Sequence, residues 1–247
     1  MLARRHVREV CAALILALVL GVPATAGQAV PAEAAAAYQL ELYRRGDFVA
    51  QTNLVQCVGA SMQMMINMMA PRDDRSAGTQ RRLWLLARSY NADGVPNPRR
   101  RGASVRGWSH GLTQLGYGPY RVEGFPTRDA AVAAAAAAMR VTGKPVGLLV
   151  WGGKHAWVMS GFRATVDPLL TTSSRVTHVH VLDPLYPRRN GAWGPSPKPG
   201  SVVSLSTLGR YFVPRRRGRT GSLAGQYVVV LPVAFTPLQV PARALAI

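Results

Sequence analysis

The stretch Gln51-Thr-Asn-Leu-Val-Gln-Cys57-Val-Gly-Ala-Ser-Met-Gln-Met-Met-Ile-Asn-Met-Met69 decides how the chain is read. From Cys57 to Met69 apolar residues recur at helical spacing. Val58, Met62, Met65 and Met69 fall on one face, and Met64 and Met68 widen it. Gln56, Gln63 and Asn67 leave only a narrow polar stripe. A helix that is apolar nearly all round is a buried helix, and Pro71 ends it. The methionines read as adaptable core filler rather than as a metal or cofactor box. Cys57 stands where this helix starts, and exposed N–H groups and the macrodipole at such a terminus favour an anionic thiolate.

Cys57 is one of two cysteines. The other, Cys11, lies in a segment with the three parts of a secretory leader. Arg4, Arg5 and Arg8 form a basic start, Val10 to Val22 an apolar core, and Ala24-Thr25-Ala26 a small-residue cleavage site. Residues 1–26 are therefore expected to be a signal peptide cleaved after Ala26. The alternative is an uncleaved anchor, although the apolar stretch is short against the roughly 20 residues of a spanning helix. The mature, secreted chain would then hold one thiol with no internal partner in an oxidising compartment, which suggests a thiol kept for chemistry. About 220 residues remain, enough for one domain or two closely packed lobes. Residues 27–37 are Ala-rich and read as a linker or a fraying helix start. The folded domain is placed at 38–235 and a C-terminal tail at 236–247.

The full chain carries a net charge of +19. Three arginines and one glutamate lie in the leader, so the remainder is near +17. Arginine clusters occur at Arg99–Arg101, Arg188–Arg189 and Arg215–Arg217 with Arg219. One reading is adhesion to an anionic cell-wall or membrane surface, and the other is solubility alone. The clusters sit in Pro/Gly-rich loops without interleaved aromatics, which argues against a specific nucleic-acid groove.

Further along, helices are expected over Thr79–Tyr90, Ser104–Leu115 and Arg128–Val141, the last capped by Thr127 and closed by Gly143. Tyr120 to Glu123 reads as a short edge strand. Pro145 to Trp151 is a continuous apolar run suited to a buried strand. Gly152-Gly153 signals a turn, and His155 to Phe162 alternates as a second strand. Ala164 to Ser174 is a polar insertion, and Val176 to Leu182 is a third strand closed by Asp183-Pro184. A Pro/Gly loop covers 188–200, a short helix Ser206–Phe212, and a last strand Gln226–Leu231. Helices first and an antiparallel sheet second give an α+β fold.

A nucleophilic thiol works with an imidazole, and a carboxylate or amide holds that imidazole's tautomer. His155 opens its strand after a Gly-Gly-Lys turn and shares a face with Trp157 and Met159. If the strands at 155–162 and 176–182 pair, their ends bring Asp183 to His155. Asp167 is a nearer carboxylate in sequence but lies in a loop. Gln51, six residues before Cys57, is placed to reach back as an oxyanion donor.

The segment from Gln51 through Cys57-Val-Gly-Ala-Ser-Met-Gln-Met-Met-Ile-Asn resembles the nucleophile segment of papain-like cysteine peptidases, and most closely the bacteriocin-processing type. Lys144-Pro-Val-Gly-Leu-Leu-Val-Trp-Gly-Gly-Lys-His155-Ala-Trp-Val-Met-Ser-Gly-Phe is similar to that family's histidine segment, and Val179-His-Val-Leu-Asp183-Pro to its aspartate segment. The order Cys, His, Asp agrees. The resemblance implies a papain-like fold, with an N-terminal helical lobe that carries the nucleophile helix packed on a small C-terminal antiparallel sheet and the site in the cleft between. It implies a Cys57–His155–Asp183 triad with Gln51 at the oxyanion, hydrolysis of amide bonds in peptide or protein substrates, and no cofactor. Val58 stands where the family often has glycine. The rival readings are a catalytically inactive binding module on the same fold and a basic cell-envelope adhesin.

Two further motifs compete with this reading. Gly107-Trp-Ser109-His-Gly111 matches a serine-nucleophile elbow, but Arg-Arg-Arg-Gly rather than a hydrophobic strand lies upstream, so a helix-start coincidence is expected. His178 and His180 share a strand face and suit metal binding. With no clear third ligand, they read as exposed strand histidines.

Overall fold

A computed structural model describes residues 36–70, 72–91, 102–216 and 222–234. The leader at 1–26, most of the linker, the tail at 236–247, the Arg99–Arg101 cluster and Pro71 lie outside the described residues. In chain order the elements are β1 (Tyr38–Glu41), α1 (Cys57–Met69), α2 (Ala77–Ser89), α3 (Val105–Gln114), β2 (Tyr120–Phe125), α4 (Arg128–Thr142) and β3 (Val146–Val150). There follow β4 (His155–Ala164), β5 (Val176–Leu182), β6 (Arg189–Asn190), β7 (Gly194–Pro195), β8 (Ser201–Ser204), α5 (Leu205–Leu208) and β9 (Tyr227–Pro232). The fold is α+β, as expected. No helix among the described residues is long and apolar enough to cross a membrane.

One antiparallel sheet runs in the order β2-β9-β3-β4-β5-β8, and β1 pairs with β4 as well. β4 organises it. Its first half, His155 to Met159, pairs with β3, and Gly161 to Ala164 pair with β1, so β1 takes over where β3 ends. The other edge of β4 meets β5. The sheet therefore draws β1 and β2 from the N-terminal half and is not confined to the C-terminal part of the chain.

The alternation expected for β4 predicts one solvated face, yet every residue from His155 to Phe162 is buried. Helices cover both faces of the sheet. On one face Ala156, Val158, Leu182 and Val230 pack with Val58, Met62 and Met65 of α1 and with Trp108 and Leu112 of α3. On the other, Trp157, Met159, Val181 and Val229 pack with Ala131, Ala135, Ala136 and Met139 of α4 and with Leu208 of α5. The alanines bring α4 close to the sheet. Its ends match the sequence signals: Thr127 Oγ1 accepts from the Ala130 N–H at 3.1 Å, and Gly143 closes the helix at φ 64°.

The polar stripe of α1 is buried, not solvent-facing. Gln63 Nε2 donates to Asp74 O at 2.9 Å and Asn67 Nδ2 donates to the same carbonyl at 3.0 Å. These amides satisfy the backbone of the connection into α2, as buried polar groups must. His180 also departs from expectation. It is buried and its Nδ1 pairs with Glu41 Oε2, while Ser160 Oγ donates to Glu41 Oε1 at 3.1 Å. This cluster fastens β1 to β4 and β5. Among the described residues no group of three or more His, Cys, Asp or Glu is arranged to hold a metal.

The helices cross at glycines. A β-carbon on Gly107 would stand 1.8 Å from the Ala87 carbonyl oxygen, and one on Gly59 would stand 2.7 Å from the Gln80 carbonyl oxygen. Gly78, in the first turn of α2, has only the Arg82 guanidinium at 3.6 Å. Gly107→Ala is expected to destabilise by about 2–3 kcal/mol, because backbone cannot yield as a side-chain tip can. Gly78→Ala is expected to stabilise by about 0.5 kcal/mol through helix propensity. Denaturant unfolding of the two variants checks both signs.

Candidate active site

Three of the four residues singled out in the sequence meet at one end of the sheet, and the fourth is tied to the same place. Cys57 is the first residue of α1 and is partly buried. The first N–H groups of any α-helix lack intrahelical acceptors, so the helix directs donors and positive dipole toward the thiol. α1 is held to the sheet beside His155, where Ser61 Oγ donates to Ala156 O at 3.4 Å.

His155 is the first residue of β4 and is 4 % exposed. Its Nε2–H donates to Asp183 Oδ1 at 2.7 Å. That contact leaves Nδ1 for Cys57, which lies near enough to favour the charged ring. Asp183 is fully buried. Its Oδ1 also accepts from the Leu185 N–H at 2.8 Å, so the turn after β5 fixes the carboxylate before it meets the imidazole. Oδ2 is buried without a partner. Asp167, the nearer carboxylate in sequence, pairs instead with Arg140 at 3.0 Å.

Burial of the His155 ring works against its charge. The hydrogen bond with Asp183, the neighbouring Cys57 and the Coulombic attraction of both groups work in the opposite direction and prevail. The imidazole is lifted from its ordinary 6.5 up to about 9.

Gln51 is buried, and its own N–H donates to Pro184 O at 2.7 Å. The loop carrying the glutamine is therefore clipped to the residue after Asp183. Gln51 Nε2 donates one hydrogen to Asn53 O at 2.8 Å, leaving the second amide hydrogen for another acceptor. Gln80 of α2 grips the same loop, accepting from the Thr52 N–H at 2.8 Å and donating to Ala50 O at 3.0 Å. Val58 turns its side chain into the core shared with α3. The glycine that follows it, Gly59, serves the α1–α2 crossing.

Sequence reasoning missed the aromatic side of the site. Trp151 follows β3 directly and opens the turn, and its ring stacks on His155 at 4.0 Å with planes 20° apart. Trp193, from the small β6–β7 hairpin, stacks on Trp151 at 6.1 Å. Trp151 has φ 57°, followed by Gly152 at 62° and Gly153 at 94°. A left-handed tryptophan costs roughly 1–2 kcal/mol, and packing on both sides holds it there. A tryptophan directly before Gly-Gly and a histidine was the available signal. Ser109 of the competing elbow motif lies inside α3, buried, with Oγ donating to Tyr120 O at 2.6 Å.

No protein-family model matches the chain, and no curated protein or solved structure is significantly similar to it.

Because the folded imidazole is raised above its unfolded value, its contribution to stability is complete below about 6.5 and is lost as pH rises through about 9. NMR of the His155 ring is expected to show titration near 9. In Asp183→Asn, which keeps an acceptor but removes the charge, the midpoint is expected to fall. The steeper loss of unfolding free energy between pH 6.5 and 9 in the wild type should flatten in the same variant.

Proposed function

We propose that the chain is a secreted papain-like cysteine peptidase or amide hydrolase. What supports this is the assembly of Cys57, His155 and Asp183 at one sheet end, with the 2.7 Å His155–Asp183 hydrogen bond at its centre. In this reading Cys57 Sγ, as thiolate, attacks the substrate carbonyl carbon, and the carbonyl electrons move onto oxygen. His155, protonated at Nδ1, gives that proton to the leaving amine as the C–N bond breaks, and a thioester remains. Water then attacks the thioester, losing a proton to His155, and Cys57 departs as thiolate. Asp183 stays ionised, fixes the tautomer and stabilises the imidazolium, the role of the carboxylate in such triads. The free amide hydrogen of Gln51 and the Cys57 N–H receive the oxyanion. Trp151 covers one face of the imidazole, and the exclusion of water strengthens every charge interaction there.

The leader at 1–26 and export belong to the same proposal, as does retention near an anionic envelope surface through the arginine clusters.

Mass spectrometry of a peptide library is expected to show cleavage by wild type and none by Cys57→Ala. Gln51→Ala is expected to lower kcat by about 10²–10³-fold, the range for loss of one oxyanion donor. kcat/KM is expected to fall on the alkaline side near pH 9, where His155 loses its proton. Iodoacetamide labelling of Cys57 at neutral pH should slow by about tenfold or more in His155→Ala. Equal, sluggish labelling of both proteins would identify a binding module instead.

A further inference from the structure

Residues 184–247 contain nine arginines and lysines and no aspartate or glutamate. Six acids elsewhere are paired locally or across the sheet: Asp47 with Arg44, Glu123 with Arg121, Asp129 with Arg128, Asp167 with Arg140, Glu41 with His180 and Asp183 with His155. Among the described residues no ion pair includes Lys154, Arg188, Arg189 or Arg216. All four are exposed.

These four cations belong to the segments that build the His155 side of the site. Lys154 immediately precedes His155. Arg188 follows the turn whose Leu185 N–H holds Asp183, and its own N–H bonds Leu185 O at 2.9 Å. Arg189 opens the β6–β7 hairpin that lays Trp193 on Trp151. Arg216 donates its backbone N–H to Gly152 O at 3.2 Å, and its Cγ would lie 3.1 Å from a β-carbon there. Gly152 is the residue after the tryptophan that covers His155. Like charges on adjoining segments add their fields and attract ligands of opposite sign. The two tryptophan rings are stacked on one another, so the inner ring offers no free face to a nucleobase. An extended peptide with carboxylate side chains fits this rim better than a stacked nucleic acid.

We propose that the site takes acidic peptide segments, with aspartate or glutamate side chains beside the bond held at Cys57 and Lys154, Arg188, Arg189 and Arg216 as their partners. This rests on the hydrolase reading for the position of the scissile bond, but binding can be measured without turnover.

The test uses the full chain carrying Cys57→Ala and a fluorescent glutamate-containing peptide, with its glutamine isostere as comparison. The acidic peptide is expected to bind roughly tenfold tighter at low ionic strength, and the difference should shrink as salt screens exposed charges. The double variant Arg188→Glu/Arg189→Glu should abolish the preference while leaving the glutamine peptide's affinity unchanged. In the wild type, the acidic peptide should slow alkylation of Cys57. Equal affinity for the two peptides, or binding that leaves alkylation unchanged, would overturn the proposal. So would polyphosphate binding as tightly as the peptide, since that would make the rim a general polyanion surface. Tight, protective binding of a peptide that wild type never cleaves would leave this inference standing and remove the hydrolase reading.

Discussion

The hydrogen bond between His155 and Asp183 is the interaction on which the rest of the arrangement depends, and it is set by strand register. Val158 lies opposite Leu182 and Met159 opposite Val181. Continuing that register brings Asp183, just past the end of β5, alongside the first residues of β4. A slip of one residue would turn every side chain to the other face. Register is held beyond the site by an irregularity between Met159 and Gly161. There Gly161 lies so close to β1 that a β-carbon would stand 2.3 Å from the Leu40 carbonyl oxygen. The Glu41–His180 pair fastens the same place. The distal half of β4 thus locks the pairing that the proximal half uses.

Cys57 and His155 come from different layers, so their meeting depends on how α1 sits on the sheet. α1 carries no charged side chain, and its buried amides bind backbone rather than solvent. It can settle only where Val58, Met62 and Met65 find Val158 and Leu182, and where Gln63 and Asn67 find the Asp74 carbonyl. Apolar packing supplies the driving force, while the amides, costly to bury unpaired, restrict the orientation. Glycines at 59 and 107 let α2 and α3 close behind it.

Much of this was legible in the sequence, for identifiable reasons. α1 and β5 have the bounds their patterns predict, because one is a long apolar helix with a clear stop and the other a β-branched run closed by Asp-Pro. The caps at Thr127 and Gly143 follow local backbone chemistry, which sequence reports directly. β1 and β8 escaped notice because each is a four-residue strand whose identity comes from its partner, β4 or β5, far along the chain. The same distance hid the fate of His180, since its partner Glu41 stands on β1, far away along the chain. β4 looked half-exposed because periodicity cannot announce that α4 will cover the second face. In the candidate site, Cys57, His155 and Asp183 could be named from motif and order, whereas Trp151 could not be placed without its left-handed backbone.

Gln51 shows how the fold prepares a group without using up its chemistry. Its backbone is tied to Pro184, its loop to Gln80, and one of its amide hydrogens to Asn53. What remains is one amide hydrogen and the buried, unpartnered Oε1, on a loop that reaches both the helix start and the end of β5. A donor ordered by neighbours before substrate arrives need not reorganise as charge develops, and such preorganisation gives an oxyanion site its strength. The same loop joins the two layers that carry thiol and carboxylate. Any motion of α1 relative to the sheet would therefore disturb the Gln51 amide and the approach of Cys57 to His155 together, so the two form one mechanical unit.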